Sequence, residues 1–113
     1  MDISFLYFNG CPNSEATLAN LEAAIRETGL RPHLAIIEVT SAEEGRALNF
    51  LGSPSILVDG RDLATGTEPK EASFSCRIYT VGGKRTGVLD RDFIVERLRG
   101  VAEQGRHDAD ERR

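Results

Sequence analysis

The chain of 113 residues has no tryptophan, one methionine and two cysteines, and its aromatic content is only 6%. Two cysteines are too few for a disulfide scaffold, where they exceed roughly 8–10% of a short secreted chain. No apolar run approaches the ~18 residues that a membrane span needs. Basic residues are in short supply: 14 Lys and Arg stand against 18 Asp and Glu, a formal charge of -4. With no basic block to offset that balance, binding a nucleic-acid phosphate backbone is not the main task. The opening residues Met1-Asp2-Ile3-Ser4 carry an acid where a secretory signal needs base, and the apolar run that follows extends only from Phe5 to Phe8. A cytoplasmic protein with reduced thiols is therefore expected, with neither membrane nor nucleic acid among its partners. Internal repeats are absent too. What remains is an ordinary globular composition, 40% hydrophobic and 28% charged, enough for one core.

The apolar period changes along the chain. Ile3 to Phe8 is nearly continuous and ends at Asn9-Gly10, as in a strand covered on both faces. Leu18, Leu21 and Ile25 then recur at helical spacing, with Ala24 beside them, Glu22 and Arg26 paired outside, and Gly29 as the stop. His33 to Val39 reads as a second strand. Ser41-Ala42-Glu43-Glu44 is a capping box opening a short helix to about Asn49, with Gly52 as its terminator. Ser53 to Val58 is a third strand, Asp59-Gly60 a turn, and residues 61–75 a loop long enough to suspect a function. Cys76 to Val81 supplies a fourth strand. Asp90 caps a last helix, with Leu89 and Ile94 placed as a hydrophobic staple. The expected fold is α/β, in the order β-α-β-α-β-β-α: a four-stranded mixed sheet with helices on both faces. It occupies residues 1–102, and 103–113 read as a flexible polar tail.

Cys11 falls between the first strand and the first helix, and Pro12 suits the first helical position, which makes Cys11 the expected N-cap. The N–H groups of Asn13 and Ser14 then face its sulfur, and the helix dipole adds partial positive charge; both favour thiolate over thiol. The Ser14 hydroxyl can add a hydrogen bond to the same sulfur. The plain alternative is a small buried apolar residue at a turn.

These segments resemble the thioredoxin-like superfamily. Gly10-Cys11-Pro12-Asn13-Ser14 is similar to its C-P-x-C/S active segment, and Ser53-Pro54-Ser55 to the segment that holds its cis-proline. The element order agrees over residues 2 to 102. Small bacterial thioredoxin-like proteins are more similar still, sharing Y-F-x-G-C-P-N, G-S-P-x-x-x-V-D-G and C-R-x-Y; some carry an alkylmercury-lyase label. The resemblance implies thiol–disulfide exchange with Cys11 as nucleophile and Pro54 in the cis form. It also implies a substrate platform of Pro12, Asn13, Ser53 and Pro54, whose exposed backbone pairs with the substrate chain.

The chain departs from a dithiol enzyme at Ser14, where a second cysteine would resolve the mixed disulfide. Cys11 alone attacks a disulfide and waits for another thiol. Cys76 is the other candidate, but a fourth strand antiparallel to the third puts it about 15 Å or more from Cys11, beyond a disulfide. Only a loop folding back would bring it near; otherwise it is a buried strand cysteine. Arg77 alternates to the opposite face, and Asp59-Gly60-Arg61-Asp62 reads as a turn with solvated charges. Phe8 can line the site. Neither histidine, at 33 or 107, stands at ligand spacing from a cysteine, so no metal site and no cofactor is expected. The expected partner is a low-molecular-weight thiol or a disulfide-bearing protein. Two further readings stand beside this one. The first is an organomercurial lyase-like or mercury-binding protein using Cys11 and Cys76, since soft thiolates suit a soft metal. The second is a non-catalytic binding module on the same fold.

Overall fold

Strand β1 (Asp2–Tyr7) carries the apolar residues Ile3, Phe5, Leu6 and Tyr7 because it is covered on both faces. Ile3 and Phe5 enter one hydrophobic cluster, while Leu6 enters another. The computed structural model describes residues 1–111, with side chains as far as Gln104, so the side chain of His107 falls outside it. Helix α1 (Ser14–Thr28) carries the chain to β2 (His33–Glu38), which pairs parallel with β1, Ile3 opposite Leu34. Helix α2 (Ala42–Ala47) leads to β3 (Ser55–Val58), antiparallel to β1. The sheet order is β2-β1-β3-β4, where β4 is Arg61–Asp62. The protein is thus α/β, with a four-stranded mixed sheet and three helices.

One face of the sheet packs Leu21 and Ala24 of α1 and Ile94 and Leu98 of α3 (Arg91–Glu111) against Ile3, Phe5, Ile56 and Val58. On the other face Leu6, Val39 and Phe50 form a smaller cluster, with Leu48 and Leu57 at its edge. Gly45 of α2 lies over Phe50 and Val39. Two of the anticipated caps form: the Ser41 hydroxyl accepts from Glu44 N at 3.1 Å, and Asp90 Oδ1 accepts from Phe93 N at 2.7 Å. Leu89 and Ile94 are both in the core, as a staple requires.

The fourth sheet strand is not Cys76 to Val81. Asp59 and Gly60 have φ of 51° and 83°, the left-handed pair of a two-residue hairpin turn, so the chain reverses at once and β4 takes the sheet edge. The segment expected there instead contributes β5 (Tyr79–Val81), which pairs with β6 (Lys84–Thr86) across Gly82-Gly83 in a separate two-stranded sheet. Helix α2 stops at Ala47, so Gly52 is not its terminator. Helix α3 continues through Glu111, into the segment expected as a polar tail from Glu103. Among the described residues, no helix is long and apolar enough to cross a membrane.

Leu98 is 0% exposed between α3 and the sheet, whereas Ile36 on the β2 edge is 51% exposed. Leu98→Ala is expected to cost about 2–5 kcal/mol and lower the urea midpoint without changing the slope. Ile36→Thr should stay within about 0.5 kcal/mol of the parent.

Candidate functional site

Cys11 follows β1 in a tight turn, its N–H donating to Phe8 O at 3.3 Å. It is not the helix cap. The first helical hydrogen bond, Thr17 N to Asn13 O at 3.2 Å, makes Asn13 the N-cap, two residues farther on. Proline has no N–H to give, and the Pro12-Asn13 turn is used up before the helix begins. The Ser14 hydroxyl donates to the Cys11 carbonyl at 3.1 Å, not to the sulfur. The sulfur instead donates to the Ser53 carbonyl at 3.6 Å, in a setting where Cys11 is 8% exposed. The anticipated ring of donors around the thiol is therefore replaced by an acceptor.

The Asn13 side chain lies against Gly87. A Cβ at Gly87 would come within 2.2 Å of Asn13 Nδ2, so the bare glycine is what leaves room for the amide. Pro12 is exposed beside it.

Ser53 is the residue on which the site converges. Its peptide bond to Pro54 is cis, and both residues are buried. Its hydroxyl accepts from Phe8 N at 3.2 Å, its N–H donates to Ser75 O at 2.8 Å, and its carbonyl accepts from Arg77 N at 2.9 Å as well as from Cys11. Ser75 and Arg77 flank Cys76, which faces Ser53 in an isolated parallel bridge. The Cys76 backbone is thus placed opposite Ser53, whose carbonyl accepts from the Cys11 sulfur, and not at the start of a fourth strand of the main sheet. Because β4 already fills the sheet edge, residues 73–77 fold back as a strap across the start of β3. Cys76 is exposed on this strap, not buried in a strand. The backbone expected to stand open beside Pro54 is covered by it.

The strap is pinned at several points. Ser73 N donates to Phe50 O at 2.8 Å, and the Tyr79 hydroxyl donates to Pro54 O. Phe74, 44% exposed, lies against the Phe8 and Phe50 rings at centroid distances of 5.3 and 6.2 Å. Gly52 makes the close approach possible: its φ is +112°, and a Cβ there would meet Ser75 O at 3.0 Å and Arg77 Cβ at 3.1 Å.

Beneath the strap, Arg77 makes a two-pronged bond to Asp62 at 2.6 and 2.8 Å, and Asp62 is only 1% exposed. Arg77 also donates to Ser55 Oγ at 3.3 Å and lies 4.3 Å over the Tyr79 ring. Asp62 is therefore not a solvated turn charge, and Arg77 is a central strut of the site. Burial alone would lower the Arg77 pKa, but the hydrogen bonds and charge of Asp62 raise it above the ordinary value. Burial pushes the Tyr79 phenol well above its ordinary 10.0, against the opposing pull of the Arg77 charge. Sequence reading missed Asp62, Arg77, Tyr79 and Gly52 as a set. The Cys-Arg-x-Tyr string contained two of them, but nothing local in it points to a carboxylate fifteen positions earlier.

Comparison with protein-family models, with curated proteins and with solved structures returned no match.

Two outcomes follow from the strut. Arg77→Met strands a buried carboxylate and should cost about 3–5 kcal/mol in urea unfolding, most of which the double replacement with Asp62→Leu should restore. Neutral Tyr79 contributes stability that is complete below the unfolded-state value of 10.0 and is lost as pH rises above it. The urea midpoint of the parent should fall more steeply between about pH 9 and 11 than that of Tyr79→Phe.

Proposed function

We propose that the protein is a thioredoxin-like thiol–disulfide exchange protein whose redox pair is Cys11 and Cys76. The observation that carries this reading is the convergence on Ser53, whose carbonyl receives the Cys11 sulfur and the amide of Arg77, the residue after Cys76. The Cys11 sulfur lies no farther from that amide than two hydrogen bonds laid end to end. The order β2-β1-β3-β4 and the cis bond beside the thiol add support for the thioredoxin-like assignment. Cys76 would then supply the second thiol that Ser14 does not.

In the exchange, a disulfide R–S–S–R takes two electrons from the two thiols. One Cys11–Cys76 bond forms, the substrate bond breaks, and two R–SH leave with the protons of the cysteines. A low-molecular-weight thiol, or a protein dithiol in a reducing cytoplasm, returns the pair to the reduced form. The same convergence suits a second reading, capture of a mercury ion as cargo between two soft thiols. Carbon–mercury cleavage would also need a proton donor, and the buried carboxylate of the site, Asp62, is held by Arg77.

Turnover is the test. Reduction of a small disulfide by excess low-molecular-weight thiol should be accelerated by the parent and drop to the uncatalysed background in the double variant Cys11→Ser with Cys76→Ser. Parental turnover in that variant would sink the exchange reading. Methane release from methylmercury would establish the mercury chemistry in its place.

A further inference from the structure

We infer that Cys76, not Cys11, is the entry thiol: the exposed strap cysteine takes the first sulfur of a low-molecular-weight disulfide, and buried Cys11 resolves the adduct. This rests on the exchange reading above and assigns its order and its substrate class.

Accessibility sets the order. Exchange begins with attack along the axis of the substrate S–S bond, which demands open space around the attacking sulfur. Cys76 is exposed, in a run from Glu71 to Cys76 that is exposed throughout. Cys11 is 8% exposed, and its S–H is engaged with the Ser53 carbonyl underneath the strap. A third sulfur has little room to line up with Cys11 while the strap is down, whereas Cys76 rides on the strap itself, whose Arg77 amide shares the Ser53 carbonyl with the Cys11 sulfur.

The substrate class follows from the backbone. Ser53 has given its N–H to Ser75 and its carbonyl to Arg77 and Cys11. No main-chain group of Ser53 is left to register an extended polypeptide next to Cys11. A small disulfide needs no such pairing.

The chemistry balances in two steps. The Cys76 thiolate attacks one sulfur of R–S–S–R, giving Cys76–S–S–R and R–S⁻, which takes the proton that Cys76 gave up to solvent. Cys11 then loses its thiol proton to solvent and attacks the Cys76 sulfur. The bond to R breaks, the second R–S⁻ is protonated, and Cys11–Cys76 is closed. Closure leaves Arg77 anchored on Asp62 and shifts the segment ahead of it, where Ser73 N to Phe50 O, Ser53 N to Ser75 O and the Phe74 ring contacts are the restraints that give way.

The probe is bis(2-hydroxyethyl) disulfide, added to the reduced full chain and followed by intact mass and peptide mapping of quenched samples. Cys11→Ser should trap one probe thiol on Cys76 as a stable adduct. Cys76→Ser should take the probe at Cys11 at least about tenfold more slowly. The parent should pass through a Cys76 adduct and finish two hydrogens lighter, with Cys11 joined to Cys76. Fast labelling of Cys11 in Cys76→Ser, with Cys11→Ser inert, would overturn the order and leave the exchange reading intact. A parent that ends with two probe adducts and no internal bond would overturn both. Limiting iodoacetamide on the reduced parent checks the order without any variant: Cys76 labelled first supports it, and Cys11 labelled first refutes it.

Discussion

A carboxylate that is 1% exposed must have a partner, and Asp62 finds a complete one in the two-pronged guanidinium of Arg77. That bond reaches from the short edge strand β4 to the chain that returns fifteen residues later, and it decides where the return passes. With Arg77 anchored, its own N–H meets the Ser53 carbonyl, and Ser75 and Tyr79 meet Ser53 and Pro54. Removing the anchor would leave an ionised group without water or a counter-charge, which is more costly than losing any one neutral hydrogen bond. The strap is therefore held from below by electrostatics and only lightly from above by exposed residues.

This arrangement changes the environment of the thiol. A cysteine at a helix N-terminus has donors around its sulfur; Cys11 stops two residues short and finds an acceptor. Its sulfur is shielded and turned toward a carbonyl in the resting structure. Ser53 makes that possible because its hydroxyl, amide and carbonyl are all satisfied while it is itself fully buried, so the turn around it does not need water. One residue thereby links the end of β1, the start of β3 and the strap.

Much of the frame was legible beforehand because its signals are local. The double-faced apolar run of β1, the 3.6-residue stripe through Leu18, Leu21 and Ile25, the hydroxyl cap at Ser41 and the Asp90 cap each depend on residues within a few positions of one another. The α/β class and the mixed four-stranded sheet follow from them. The assignment of the fourth strand failed for an equally physical reason. Cys76 to Val81 has strand composition and does form a strand at Tyr79, but the Asp59-Gly60 turn had already delivered a two-residue strand to the edge. Composition tells a segment to extend; it does not say which edge is still free.

By itself, then, the sequence determined the first three strands, the presence of three helices, the apolar faces that join them, and the place of Cys11 between β1 and α1, because these rest on periodicity and caps read over a single turn of chain. Only the tertiary structure decided how the two cysteines relate. Their relation depends on a carboxylate at 62 and a guanidinium at 77 that neither period nor propensity connects, and on a glycine at 52 small enough to let the strap lie down. Loop paths are set by such long-range pairings, and the energy of a pairing does not appear in the residues on either side of it.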